Sequence, residues 1–381
     1  MKVKRLKVYR FSAFEDAVLE CSSGINVLIG ANGTGKSHIL KLLYSMLKAN
    51  EARDSKIRKA AALRIAAGYS TMPKANEARH NGEATRRGLD PRLAEKLGAV
   101  FKPDDGAIGR LVNRARRRGS CKVELQTSAG ELRFTLTTLG NLRVVADTLT
   151  PGERCVFLPS REALAMYEGF ISAYTNRELS FDETYYDLCV ALSGGALRGK
   201  RLEKAGELVH PLEHVLGGKV HLKGGRFYVF SAQGQIEAHL LAEGWRKIAC
   251  LVRLIVNGSL IRNGFLVWDE PEANLNPALI TQMARVLRSL AASGVQVFVA
   301  THDYLLTHAL SLAAEYHEPP TCEMRFFAFS RENDEKPVTV ESGEVLADLS
   351  HNLILEEFAR HYDHERKLFE GSSQKGTGSG R

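Results

Sequence analysis

One glycine-rich stretch constrains this chain more than any other sequence feature. Residues 30 to 37 read GANGTGKS and match the G-x-x-x-x-G-K-[ST] pattern at every fixed position. The apolar run INVLIG precedes the motif and predicts a buried strand, and SHILKLLYSMLKAN follows it with the apolar spacing of a helix. Glycines let backbone N–H groups converge on phosphate oxygens, and the helix N-terminus adds the positive end of its dipole. The sequence therefore predicts a nucleoside triphosphate site on a strand–loop–helix unit.

The loop supplies the candidate nucleotide-binding residues, which are Gly30, Ala31, Asn32, Gly33, Thr34, Gly35, Lys36 and Ser37. We expect the ammonium group of Lys36 to reach the β- and γ-phosphates, and the hydroxyl of Ser37 to hold Mg²⁺.

Composition sets outer limits. With 381 residues, of which 44% are hydrophobic, the chain can bury one large core or two modest ones. No stretch approaches the run of about 20 apolar residues that crosses a bilayer, and the N-terminal residues lack the apolar run of a signal peptide. The six cysteines stand at least 34 positions apart, which excludes a local C-x-x-C pair and favours reduced thiols. The sequence thus predicts a cytoplasmic protein without a membrane partner.

Basic residues are concentrated in one segment. Residues 48–122 contain 19 Lys and Arg against 8 Asp and Glu, so this segment carries +11 while the whole chain carries +8. Helix formers and turn residues alternate there, which predicts a helical insertion. Two interpretations stay open: a charged arm that aids solubility or packs on acidic neighbours, and a surface that contacts the phosphate backbone of a nucleic acid.

Two adjacent carboxylates end a second apolar strand. The stretch GFLVWDEPEANLNP places Asp269 and Glu270 directly after the strand FLVW. Sites in open α/β sheets lie at the carboxyl ends of the strands, and adjacent carboxylates there are costly unless they face a cation. We expect Asp269 to orient Mg²⁺ and its waters, and Glu270 to polarise the water that attacks the γ-phosphate.

A histidine ends a third apolar strand. The stretch VQVFVATHDYLL places His302 one helix and one strand after Asp269. At the same edge of the sheet, an imidazole can contact the γ-phosphate and fix the attacking water. These motifs together predict Glu270 and His302 as catalytic residues, with Ser37 and Asp269 as metal ligands.

The alternation of strands and helices predicts an α/β fold with a mostly parallel central sheet flanked by helices. Three alternating runs after residue 120 predict an antiparallel β subdomain, and KVHLKGGRFYVFS predicts a hairpin with a Gly-Gly turn. From Gln235 onward we expect helix, strand, helix, strand and helix, then a β-rich segment and a last helix near His351 to Glu370.

We expect one head domain over residues 1–370. Its predicted parts are a β-rich nucleotide-binding lobe (1–49 and 121–162), the basic insertion (50–120), a helical lobe (163–260), and a core with the acidic pair and the histidine (261–345). The tail, residues 371–381, is small and polar, and we expect it to be disordered.

The order of these motifs resembles that of ABC-type ATPase heads in the SMC, RecF and overcoming-lysogenization-defect (OLD) group. Gly244 stands at the start of an apolar helix, 25 residues before Asp269, where this group carries its signature loop. The resemblance covers nearly the whole chain and rests on GANGTGKS, DEPEANLNP and ATHD. More narrowly, LPSREAL, ELSFDETYYDL and AEGWRK resemble the stand-alone AAA-type ATPases of bacterial anti-phage systems.

The resemblance implies a P-loop ATPase that uses ATP and Mg²⁺ and forms a homodimer or a higher homo-oligomer. Glu243, Gly244 and Trp245 would cap the γ-phosphate bound to the opposite subunit, and residues 274–276 would form the contact loop between subunits. Two departures follow.

The usual signature serine is Ala242 here, so the Gly244 N–H, the helix N-terminus and Arg246 would have to bind the phosphate. The usual glutamine loop has no obvious Gln, and Ser160, Arg161 and Glu162 are its substitute.

Three functions stay open. The leading hypothesis is an ATP-switched oligomer of anti-phage defence that controls a separate effector, a toxin or a nuclease, because only 79 residues follow His302 and they contain no D-x-D cluster. The first alternative is a RecF-like repair ATPase that binds DNA through the basic insertion. The second is a nucleotide-locked scaffold with little turnover.

Overall fold

The computed structural model describes residues 1–66, 91–113, 119–333 and 336–376. Residues 67–90 and 114–118, which carry much of the predicted basic insertion, lie outside the described residues, as do residues 377–381 at the end of the predicted tail.

A six-stranded sheet forms the centre of the molecule, in the order β14-β13-β3-β12-β11-β7. Its strands are β3 (Ile25–Gly30), β7 (Cys155–Leu158), β11 (Phe265–Asp269), β12 (Gln296–Thr301), β13 (Met324–Ser330) and β14 (Thr339–Gly343). Five strands run parallel and only β14 is antiparallel to its neighbour. The predicted mostly parallel sheet is confirmed.

Two antiparallel sheets accompany it. One has the order β2-β1-β4-β5-β6 and contains β1 (Val3–Phe11), β2 (Phe14–Glu20), β4 (Ser120–Thr127), β5 (Gly130–Thr137) and β6 (Leu142–Asp147). The other has the order β10-β9-β8 and contains β8 (Gly218–Lys223), β9 (Arg226–Ser231) and β10 (Gly234–Glu237). Gly224 and Gly225 turn between β8 and β9 with positive φ angles, as predicted. Strand β10 was not expected from the sequence.

Helices cover both faces of the central sheet. They are α1 (Lys36–Ala66), α2 (91–101), α3 (Phe170–Thr175), α4 (Glu183–Ser193), α5 (Lys200–Leu216), α6 (Glu243–Val256), α7 (Pro277–Ala292), α8 (Tyr304–Glu315) and α9 (Leu353–Gly376).

Two of these helices are longer than expected. Helix α1 continues through the predicted boundary at residue 50 as far as Ala66. Helix α9 continues to Gly376, past residue 371, where we expect the tail to begin; the disorder of the tail stays a prediction. The other predicted domain boundaries stay predictions.

Side chains of the same central strands point alternately into two cores. In β11, Leu266 and Trp268 pack with α4 to α8 and the three-stranded sheet. Phe265 and Val267, from the other face of the strand, pack with α1, α2 and the five-stranded sheet. Because both faces are covered, residues 265–268 of β11 form a continuous apolar run rather than an alternating one, as is typical of parallel sheets.

Two observations, on the cysteines and on the helices, relate to the predicted cellular location of the protein. All six cysteines are free thiols, and burial raises the pKa of Cys121 and Cys189 to about 12. Among the described helices, none has the length and apolar character needed to cross a membrane. The cytoplasmic location stays a prediction.

Candidate nucleotide site

The phosphate loop connects β3 to α1, and its backbone requires glycine at two points. Gly30 has a φ of 143°, and a Cβ on it would lie 2.3 Å from the carbonyl oxygen of Phe329. Gly35 has a φ of 90°, and a Cβ there would lie 2.8 Å from the Phe14 ring. A side chain at either glycine would clash with Phe329 or Phe14, so the observed loop conformation requires glycine at both positions.

Lys36 is the first residue of α1, and its side chain folds back into the loop. Its Nζ donates hydrogen bonds to the carbonyl oxygens of Gly30 at 2.6 Å and Ala31 at 2.9 Å. Burial lowers the pKa of Lys36, and the carboxylate of Asp269 partly offsets this effect. A buried ammonium held only by neutral carbonyls can exchange them for the stronger charge-assisted bonds of a phosphate.

Ser37 and Asp269 meet across two elements. Ser37 follows Lys36 in α1, and Asp269 ends β11. Burial raises the pKa of Asp269, and the nearby hydroxyl of Ser37 partly offsets that rise. A hydroxyl and a carboxylate are the hard oxygen ligands that Mg²⁺ takes together with water and phosphate oxygens. The residues at this position therefore fit a magnesium nucleotide.

Glu270 is fixed through its backbone. Its φ of 51° lies in the left-handed region, which is uncommon for a residue with a side chain. Its N–H donates to the carbonyl of Ala300 in β12 at 2.8 Å, and its own carbonyl accepts from Lys247 Nζ of α6 at 3.2 Å. These contacts hold the carboxylate, which is 36% exposed, beside His302.

His302 directly follows β12, at the same edge of the sheet. Its Nδ1 lies 3.6 Å from Oε1 of Glu270 and 3.8 Å from Oε1 of Glu272. The ring is half exposed, so one side faces carboxylates while the other is open to a ligand.

Glu272 is a site residue that the sequence reasoning missed. Its carboxylate is buried, and its Oε1 accepts from the hydroxyl of Thr301 at 2.6 Å and the N–H of His302 at 3.3 Å. Burial raises its pKa. The available signal was a third carboxylate in D-E-P-E, two positions beyond Glu270.

The predicted signature residues form the first turn of α6 rather than a loop. Ala242 is the N-cap, and no described side chain caps the helix, so the N–H groups of the first turn are available to an anion. Gly244 is buried, and a Cβ on it would lie only 2.7 Å from the side chain of Leu275. The glycine therefore serves close packing within the chain.

Arg246, which we expect to help bind the phosphate, pairs with other groups of this chain; its phosphate role stays a prediction. Its Nε lies 2.7 Å from Oε1 of Glu162, and its Nη1 donates to the carbonyl of Leu241 at 2.6 Å. Glu162 also accepts from the N–H of Leu164 at 2.8 Å. The segment after β7, which we expect to replace the glutamine loop, is thus bonded to helix α6.

The predicted contact loop serves helix α7 as well. Asn276 caps α7, its side chain accepting from the N–H of Leu279 at 2.9 Å, and Pro277 begins the helix. Asn274 has a φ of 62° and is exposed. Its exposure agrees with a contact role, which stays a prediction.

In the described part of the basic segment 48–122, two lysines form ion pairs with acidic side chains. Lys96 pairs with Glu183 at 2.7 Å and Asp187 at 2.6 Å, and Lys48 pairs with Glu51 at 2.8 Å. These lysines pack on acidic neighbours, as the first interpretation of the segment holds. The basic residues of 67–90 and 114–118 lie outside the described residues.

Two family models match the chain. Residues 1–114 match one described as "AAA ATPase domain", and residues 160–307 match one described as "AAA domain, putative AbiEii toxin, Type IV TA system". The two ranges include the phosphate loop, the signature helix, the acidic pair and His302.

Curated relatives match over shorter stretches. The DNA replication and repair protein RecF of Acidothermus cellulolyticus is 34% identical over 135 residues, which cover 31% of this chain and 36% of that protein. RecF of Staphylococcus haemolyticus is 36% identical over 55 residues, 14% of this chain and 15% of the relative. The DNA double-strand break repair Rad50 ATPase of Pyrococcus abyssi is 48% identical over 40 residues, 10% of this chain and 4% of that protein. The chain therefore matches about a third or less of each relative's length.

A solved structure shares the fold. It is an SMC head bound to the C-terminal winged-helix domain of ScpA, with a TM-score of 0.52 and 13% identity, covering 91% of this chain and 99% of that one. The chain thus has the fold of a P-loop ATPase head, and its motifs resemble those of ABC-type heads in the SMC, RecF and OLD group.

Proposed function

We propose that this chain binds ATP with Mg²⁺ and hydrolyses the γ-phosphate bond. One observation carries the proposal: an ammonium, two carboxylates and an imidazole follow three neighbouring strands, β3, β11 and β12, at one edge of the sheet. These side chains are Lys36, Asp269, Glu270 and His302. Converging groups with pKa values shifted by burial are typical of catalytic sites.

Each side chain then has a distinct task. Lys36 exchanges its loop carbonyls for phosphate oxygens, and Ser37 and Asp269 hold the metal, which when bound offsets charge on the β- and γ-phosphates. Glu270 takes a proton from the attacking water, because its carboxylate is fixed beside the site yet partly exposed. His302 orients that water or the γ-phosphate through its open side.

We further propose that ATP joins two copies through the first turn of α6. Three features support this. The turn has no side-chain cap among the described residues, and Ala242 is exposed. The turn also packs, through Gly244, against Leu275 in the loop of residues 269–276. An uncapped helix N-terminus attracts the γ-phosphate that ADP lacks, so only ATP strengthens the assembly.

Substitutions at Ala242 test this assembly without disturbing the packing of Gly244. Serine and aspartate both cap helices and preserve or raise stability. Ala242→Ser should therefore retain ATP-dependent association, whereas Ala242→Asp adds a negative charge beside the phosphate and should weaken association at least about tenfold. Light scattering with ATP and with ADP measures the difference. If Ala242→Asp assembles as well as Ala242→Ser, the γ-phosphate does not meet α6.

We propose that the ATPase cycle of this chain controls a separate effector protein, a toxin or a nuclease, in anti-phage defence. Residues 160–307 match the family model whose description includes "putative AbiEii toxin", and this match supports the proposal. ATP-dependent co-purification of the product of a neighbouring gene, lost with Lys36→Ala, is the expected result. Effector binding that is equal with ATP, with ADP and with Lys36→Ala contradicts it.

DNA repair is the second candidate, favoured by the similarity to RecF proteins and by the basic segment 48–122. A DNA-binding ATPase should hydrolyse ATP faster with DNA, and the stimulation should fall steeply with salt. Release of phosphate at the same rate with and without DNA removes this candidate. A chain that retains ATP and releases no phosphate is instead a nucleotide-locked scaffold.

A further inference from the structure

Among the described residues, the carboxylate of Glu272 accepts hydrogen bonds through one of its two oxygens. Glu272 is 6% exposed. Its Oε1 accepts hydrogen bonds from the hydroxyl of Thr301 and from the backbone N–H of His302 at the end of β12. Its other oxygen, Oε2, is buried and has no hydrogen-bond partner among the described residues. A carboxylate can accept about four hydrogen bonds, so Glu272 has acceptor capacity left.

The imidazole of His302 stands between two carboxylates. Its Nδ1 is 3.6 Å from Glu270 and 3.8 Å from Glu272, beyond the length of a hydrogen bond in each case. A single Nδ1–H can be donated to only one of them. The choice matters because a hydrogen bond to Glu270 would occupy the carboxylate that must accept a proton from water.

Glu272 is the better-fixed acceptor. Its side chain is anchored to β12 by Thr301, whereas the side chain of Glu270 is 36% exposed. A ring that donates Nδ1–H to Glu272 keeps its Nε2 free of hydrogen, as an acceptor on the open side, and leaves Glu270 to the water.

We propose that Glu272 is the positioning residue of this site: it accepts the Nδ1–H of His302, fixes the ring's tautomer, and keeps the ring from occupying Glu270. The proposal rests on the proposed ATPase function and adds a residue to it. Glu272 acts through His302 and touches no phosphate.

Two substitutions separate positioning from packing. Glu272→Met has nearly the same length but no strong acceptor, whereas Glu272→Gln keeps an amide oxygen for the Nδ1–H. We expect Glu272→Met to lower kcat about tenfold to a hundredfold, the range for lost orienting contacts, with KM changed less than about twofold. Glu272→Gln should recover part of the lost kcat. Glu318→Gln, which alters a carboxylate paired with Arg288 away from the site, should leave kcat unchanged.

The ring itself gives a second readout. In ¹⁵N spectra of the full chain, recorded under alkaline conditions, the His302 signal is identified by its loss in His302→Gln. We expect the Nδ1–H tautomer in the parent protein and its loss in Glu272→Met. An unchanged tautomer together with unchanged kcat in Glu272→Met overturns the proposal. If the parent protein hydrolyses no ATP, the proposed function fails, while the tautomer still tests the contact.

Discussion

The parallel strands of the central sheet begin at one end, here called the amino edge, and finish at the other, the carboxyl edge. The polar side chains at these two edges differ in how completely they are hydrogen-bonded within the chain. At the amino edge, Gln296 of β12 is completely buried, donates to the carbonyls of Val3 and Ser22, and accepts from the N–H of Val3. At the carboxyl edge, the described partners of Lys36 are two carbonyls of its own loop, and Oε2 of Glu272 has no partner among the described residues.

The difference teaches which polar groups serve folding and which serve a ligand. A polar group that is fully bonded within the chain contributes to stability and has little to offer a ligand. A group that is buried yet incompletely bonded lowers stability, and it persists where a ligand completes its contacts. Substitutions at the two edges should therefore affect different measurements.

The largest expected effect lies at the carboxyl edge. Lys36→Ala removes a charged donor from the phosphate cradle. At about 1.5–3 kcal/mol for each charge-assisted hydrogen bond, the loss of two such bonds weakens ATP binding about 10²–10⁴-fold. Calorimetric titration with ATP measures this loss, and denaturation by urea should show little change in stability. Unchanged affinity would place the nucleotide elsewhere.

Glu270→Gln should affect turnover rather than binding. The amide keeps the shape of the side chain but cannot take a proton from water, so kcat should fall about 10²–10⁴-fold, the usual contribution of a general base. ATP affinity should stay close to that of the parent protein. Hydrolysis at the parental rate would assign water activation to another residue.

Gln296→Leu should affect stability rather than activity. It leaves three backbone groups, of Val3 and Ser22, without the side chain that pairs with them. The free energy of unfolding should fall by about 2–5 kcal/mol, at about 1–3 kcal/mol for each buried group left unpaired, with water recovering part of the loss. Urea denaturation measures it, and Gln126→Leu at an exposed position of β4 is the control. Loss of ATP affinity in folded Gln296→Leu would show that the edges are not separate.

The smallest expected effect is a pH dependence at the amino edge. The side-chain hydroxyl and the N–H of Ser23 both donate to Glu323, and these bonds hold the pKa of its carboxyl below the usual range. Because the pKa is depressed in the folded state, the stabilisation is complete above the ordinary glutamate pKa. It is lost as pH falls through the folded value. The stability difference between the parent protein and Glu323→Gln should therefore shrink in acid. A difference that does not change with pH would contradict this assignment.

The sequence predicted the residues whose positions depend on short-range chain geometry. Lys36, Asp269, Glu270 and His302 each end or follow an apolar strand, and the carboxyl ends of parallel strands meet at one edge. The same periodicity predicted the parallel sheet and the antiparallel subdomain.

What it missed depends on contacts between distant segments. The bond from Thr301 to Glu272 joins residues 29 positions apart, and Arg246 pairs with Glu162 of another loop. No spacing rule encodes such pairs. The ion pair of Arg246 and the contact of Gly244 with Leu275 are structural contacts that the sequence did not predict, and the phosphate roles of both residues stay predictions.

Hydrogen exchange in Glu270→Gln with ATP and Mg²⁺ tests the difference between the edges most directly. Because this variant should retain unhydrolysed ATP, we expect strong protection of residues 30–37 and of the first turn of α6. Residues 22–26 and 294–297 at the amino edge should exchange at the same rates with and without ATP. Equal protection at both edges, or none at residues 30–37, would contradict the account.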